Sequence, residues 1–85
     1  SSKFIRVKEL QFVRDRGRTY TADGDRTITM RISQIVSITD EQYRNCSKYC
    51  IVSLTNGQIF QVTEETAEQI RLHLDIDTIY DREEA

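Results

Sequence analysis

The chain has 85 residues and a mass of 10.0 kDa, with no proline, no tryptophan, three glycines and two cysteines, a length that holds one domain and excludes a second core. Hydrophobic residues make up 38 % and charged residues 31 %, and the mean hydropathy of -0.56 comes with no apolar run near the roughly 18 residues a membrane span needs. A net charge of -2 and a pI near 5.3 exclude a general nucleic-acid binder, whose footprint is strongly basic.

The start, Ser1-Ser2-Lys3-Phe4, has no apolar core of a signal peptide and reads as a processed end. The expectation is a cytoplasmic protein. Phe4-Ile5-Arg6-Val7-Lys8 alternates apolar and charged residues as a half-buried strand does, with Ile5 and Val7 on one face. Leu10 and Phe12 have the opposite parity, so a bulge or bend near Lys8-Glu9 is required to turn all four inward. Arg14-Asp15-Arg16-Gly17-Arg18 follows as a polar turn, Tyr20 begins a return strand, and Asp23-Gly24 carries a strong two-residue hairpin signal. Residues 1–31 therefore read as two or three short antiparallel strands.

In Arg26-Thr27-Ile28-Thr29-Met30-Arg31-Ile32 the inward positions are Ile28, Met30 and Ile32. Ser33-Gln34 breaks the period through one short turn, after which Ile35, Val36 and Ile38 resume a strand. Residues 40–48 are polar and form an exposed connection. The clearest signal lies in residues 49–62, where Cys50-Ile51-Val52-Ser53-Leu54-Thr55 and Gln58-Ile59-Phe60-Gln61-Val62 flank Asn56-Gly57. A two-residue type I′ loop there pairs Leu54 with Ile59, Ile51 with Val62 and Ser53 with Phe60, leaving apolar groups on both faces. One face then takes the helix and the other a second strand layer or a second subunit.

Thr63 is a good N-cap, and Glu64 and Glu65 suit the positive end of a helix dipole. Ala67, Ile70 and Leu74 make one buried stripe, and Glu68, Arg71 and His73 point elsewhere, giving an amphipathic helix of about 11–13 residues. Ile76 and Tyr80 then belong to a last strand, an arm onto a neighbour, or a continuation of the helix. The fold class is α+β, a small antiparallel β-sheet or partly open barrel of four to six strands with one C-terminal amphipathic helix. Residues 1–80 form the single domain and residues 81–85 a disordered acidic tail.

Ile32-Ser33-Gln34-Ile35-Val36-Ser37-Ile38-Thr39-Asp40, with the hairpin through Leu54-Thr55-Asn56-Gly57 and the run to Thr66, resembles the small bacterial FlbD/SwrD-type flagellar and swarming proteins and similar phage-borne proteins. The resemblance covers about residues 20–74 and implies the β-rich fold with its closing helix. Residues 3–18, the long 40–48 loop and the acidic tail depart from that pattern, and so does the I-x-x-I element, which here lacks a proline.

Chemistry-bearing groups are few. Cys46 and Cys50, spaced C-x3-C, are two sulfurs where a tetrahedral metal site wants four ligands, and in an extended segment their Cα atoms stand roughly 13 Å apart, beyond disulfide reach. They are expected to be reduced, at least one facing the core. His73 has no nucleophile at a telling spacing, Asp75-x-Asp77 lacks the glycine and closing glutamate of a calcium loop, and no cofactor is expected. The local cluster above background is Arg14, Arg16 and Arg18, whose planar forks suit carboxylates or phosphates.

Charge is also split along the chain. Residues 1–31 hold eight basic against four acidic groups, +4, and residues 32–85 four against ten, -6. The expected function is a non-enzymatic regulatory or inhibitory protein-binding module, in a phage-borne setting directed at a host defence system. Its candidate contacts are Arg14, Arg16 and Arg18 for a partner or anion, and Ile51, Phe60 and Val62 for an apolar interface. The alternatives are a homo-oligomer that sequesters a small nucleotide-like anion at the arginines, and a flagellar accessory protein. The expected partner is another protein or a copy of the chain, with no membrane and no general nucleic-acid binding.

Overall fold

In a computed structural model, which describes the backbone of residues 3–84 and the side chains of residues 3–74, the first alternating segment becomes β1 (Phe4–Asp15), paired antiparallel with β2 (Arg18–Arg31) in one long hairpin. Its turn is Arg16-Gly17, whose φ angles of 50° and 78° are both positive, the mark of a type I′ turn whose twist matches the flanking strands. The polar 14–18 segment is thus the hairpin turn, and Asp23-Gly24 is not.

Gly24 serves a different purpose. Lys8 pairs with Thr27 and Leu10 with Asp23, so Glu9 alone opposes Gly24, Asp25 and Arg26. This is the bulge that the parity of Leu10 demanded, and it lies on β2. Leu10 shares the parity of exposed Lys8, yet beyond the bulge it is buried together with Ile5 and Val7 of the other parity. Phe12 stays 42 % exposed while its ring packs on Tyr49. A Cβ on Gly24 would stand 2.9 Å from the Glu9 carbonyl oxygen, so this close backbone approach, not a turn, selects glycine.

After one 3-10 turn (Ile32–Gln34), β3 (Ile35–Glu41), β4 (Tyr49–Leu54) and β5 (Ile59–Thr63) form an antiparallel sheet in the order β3-β4-β5. The expected register of its hairpin is corrected by one residue. Gly57 N–H donates to the Leu54 carbonyl at 3.0 Å, Leu54 N–H donates to the Gln58 carbonyl at 2.9 Å, and Gly57 alone has a positive φ, 86°. The loop is Thr55-Asn56-Gly57, a turn closed by a glycine bulge. Asn56 contributes through its side chain, whose Oδ1 accepts from Gln58 N–H at 2.9 Å.

That shift sorts the side chains, because one step of register moves a strand's apolar set to the other face. Val52 now opposes Phe60 and Cys50 opposes Val62, and these four lie in the core with Leu54, Ala67 and Ile70. Ile51, Ser53, Ile59 and Gln61 share the outer face. The base of the first hairpin adds Ile5, Val7, Ile28 and Met30, and the 3-10 turn after it adds Ile32, to the same cluster. Val52, Val62 and Ile70 are 0 % exposed, and full burial of such a side chain contributes about 1.5–3 kcal/mol before ordering costs.

α1 (Glu64–Glu84) begins as expected, with Thr66 N–H donating to the Thr63 Oγ1 at 3.2 Å. It runs for 21 residues, longer than the stripe to Leu74 suggested, so Ile76 and Tyr80 continue the helix. Of the expected acidic tail, Ala85 and all side chains lie outside the described residues. The two sheets do not close into a barrel. β2 is tied to the loop between β3 and β4, where Thr19 N–H donates to the Asn45 carbonyl at 2.9 Å and Ser47 N–H donates to the Thr19 carbonyl at 3.1 Å. Among the described residues no helix is long and apolar enough to cross a membrane.

Candidate functional site

The β1–β2 hairpin beyond the bulge forms an arm with two different faces. Cross-strand pairing puts Leu10, Phe12 and Arg14 on one face with Asp23, Thr21 and Thr19, and Gln11, Val13 and Asp15 on the other with Ala22, Tyr20 and Arg18. The first face carries the attachment to the body. Phe12 meets Tyr49 edge-on at 5.5 Å and Tyr43 at 6.4 Å, and the two tyrosine rings are 5.4 Å apart. Tyr49 is buried there; its phenol is pushed well above its usual range, first by that burial and then by its hydrogen bond with Tyr43. Anchored this way, the arm leaves every residue from 13 to 18 exposed.

The three candidate arginines sit on this end but do not converge. Arg14 lies on the attached face, Arg18 on the opposite one, and Arg16 at the turn. A small anion held by all three guanidinium groups at once finds no cradle in this arrangement. All three side chains are exposed, and none forms a hydrogen bond or ion pair among the described residues. Arg16 holds a left-handed backbone, where a residue with a Cβ is disfavoured by about 1–2 kcal/mol relative to the right-handed region.

The apolar candidates are separated too. Phe60 and Val62 belong to the core at 4 % and 0 % exposure and offer no surface. Ile51 is half-buried on the outer sheet face beside Ile59, in a hollow of about 190 Å³ that Glu9 and Gln61 also line. The exposed apolar pair missed from sequence is Val13 with Tyr20, directly opposed across the arm. Taking Arg16-Gly17 as the turn and counting outward would have found it.

Acidic groups collect at the start of α1. Two adjoining hollows, of about 300 and about 340 Å³, share Lys48 and Glu64; Asp23 and Glu65 line the first, Asp40, Glu41 and Arg71 the second. Beside the second, the buried Cys50 thiol donates to Asp40 Oδ1 at 3.2 Å, and Arg71 Nη2 meets the same oxygen at 3.3 Å. Burial first, and then the hydrogen bond to the Asp40 carboxylate, push the Cys50 thiol up to about 11, while the hydrogen bonds that Asp40 accepts from Cys50 first and then from Arg71 hold its carboxyl below the usual carboxylate range. A thiol so placed is protonated at neutral pH and a poor nucleophile.

Cys46, also buried, and Cys50 are both free thiols. His73 is exposed and lines a hollow of about 240 Å³ with Thr66, Gln69 and residues 5–8 of β1, where no serine or cysteine accompanies it. Among the described residues, no three His, Cys, Asp or Glu side chains are grouped to hold a metal ion. No family model, curated protein or solved structure matches the chain significantly.

Proposed function

We propose that this chain is a non-enzymatic protein-binding module whose β1–β2 arm engages an acidic surface of another protein. The observation that carries the reading is the end of the arm, where Arg14 and Arg16 stand exposed and, among the described residues, unpaired, and Arg16 holds a strained backbone. Guanidinium forks free of internal partners are ready to take carboxylates bidentately. The acidic hollows on the body repel the same partner, so a net acidic molecule is oriented tip first. An inhibitor of a host protein, the role expected from size and resemblance, would act by covering a functional surface in this way.

Affinity capture from a host lysate tests the reading. The unmodified chain and Arg6→Glu/Lys8→Glu, which changes charge equally outside the arm, are expected to retain the same protein, and Arg14→Glu/Arg16→Glu to lose it. Equal retention by all three chains, or no specific capture, contradicts the proposal.

A further inference from the structure

The face of the arm turned away from the body has no partner among the described residues, and its composition is complementary to itself. It consists of three directly opposed rows, Gln11 with Ala22, Val13 with Tyr20, and Asp15 with Arg18. Val13 and Tyr20 are each 43 % exposed. The opposite face makes the aromatic contacts to Tyr43 and Tyr49. A two-stranded ribbon covered on one side only is marginal in water, and opposed apolar residues beside an opposite-charge pair suit packing against a second ribbon.

We infer that two copies of this chain pack through these faces about a two-fold axis parallel to the strands. That operation lays β1 of one copy over β2 of the other at the usual sheet spacing of about 10 Å. Every row then meets itself reversed: Val13 lies on Tyr20 of the second copy, and Asp15 on its Arg18. The alternative two-fold axis, perpendicular to the strands, sets the charged row over Gln11 and Ala22 and leaves both charges without a partner. Self-complementarity therefore selects the parallel arrangement. Six residues per copy bury far less than the roughly 800 Å² per partner of a standard interface, so the dimer is a weak one that forms with rising concentration. Both arm ends then point the same way, which makes the surface carrying Arg14 and Arg16 bivalent. The dimer rests on Val13, Asp15, Arg18 and Tyr20 and stands whether or not the partner reading holds.

Sedimentation equilibrium of the full chain, from micromolar to millimolar concentration, tests the inference. The unmodified chain should rise from 10.0 kDa toward twice that mass. Asp15→Arg gives a face with two positive charges and Arg18→Asp one with two negative charges, so each alone should stay monomeric, and their equimolar mixture should associate again. Tyr20→Thr, which keeps a strand-favouring residue, should weaken association about tenfold. A chain that is monomeric throughout, single-charge variants that associate as the unmodified chain does, a mixture that fails to recover, or a Tyr20→Thr chain that associates unchanged overturns the inference. Matching thermal melts of the variants verify that the fold is intact.

Discussion

Gly24→Val sets two physical effects against each other and so reports on the bulge. Gly24 lies in β2 and has no left-handed φ, and by propensity alone valine there would stabilise the strand by up to about 1 kcal/mol. The geometry reverses the sign. A Cβ would stand 2.9 Å from the Glu9 carbonyl oxygen and 3.4 Å from the Gln11 Cβ, and the nearer of these atoms is backbone that must move. Overpacking of this kind costs about 1–3 kcal/mol, so with the middle of each range about 1.5 kcal/mol is lost after the propensity gain. For a domain of this size that lowers Tm by roughly 6–12 °C, out of a total stability of about 4–13 kcal/mol. Thermal unfolding followed by circular dichroism measures it, with Asp25→Val, exposed in the same bulge, as a control expected within about 0.5 kcal/mol. An unchanged or raised Tm for Gly24→Val would refute the close approach and the bulge built on it.

Neighbouring residues in β5 should respond very differently to truncation: Phe60→Ala, in the core, should cost about 3–5 kcal/mol, and exposed Ile59→Ala within about 0.5 kcal/mol, by chemical denaturation. Similar losses would restore the two-residue loop register. Arg16→Asn should raise stability by up to about 1 kcal/mol, because asparagine tolerates the left-handed backbone of a type I′ turn, while weakening partner binding; a stabilised variant with undiminished binding would remove Arg16 from the contact. The Cys50 thiol is pushed from 9.0 to about 11 in the folded chain, so between those pH values the folded state holds a proton that the unfolded state has lost. Stability from this group is therefore full below about pH 9 and falls toward pH 11, and pH-dependent melts of the chain and Cys50→Ala should diverge there; parallel curves would contradict the burial of the thiol.

Much of this fold is legible in the residues, because hydrophobic alternation reports directly on which strand face is buried. The slip between Val7 and Leu10 demanded a bulge, and Thr63 before two glutamates marked the start of the helix. Glycine signals were less informative. Asp23-Gly24 has the composition of a hairpin turn, but its glycine answers to the Glu9 carbonyl, a contact across strands that no local pattern encodes. Asn56-Gly57 suits both a two-residue loop and a three-residue loop with a glycine bulge, and the choice follows from tertiary packing, which draws Val52 and Phe60 to one face. The candidate site was legible only in part. The arginine spacing located the exposed end of the arm, whereas the separation of Arg14 from Arg18 and the emergence of Val13 beside Tyr20 depend on the turn at Arg16-Gly17.

Site-specific photocrosslinking separates partner binding by the arm from binding by any other surface. A photoreactive side chain at position 15, where exposed Asp15 lies between Arg14 and Arg16 and both arginines are kept, is to be compared with one at position 72, where Leu72 is 59 % exposed on α1. In host lysate, position 15 should yield a discrete adduct with one host protein that is lost as ionic strength rises, and position 72 should yield none. An adduct from position 72 with none from position 15 would contradict the arm as the binding surface.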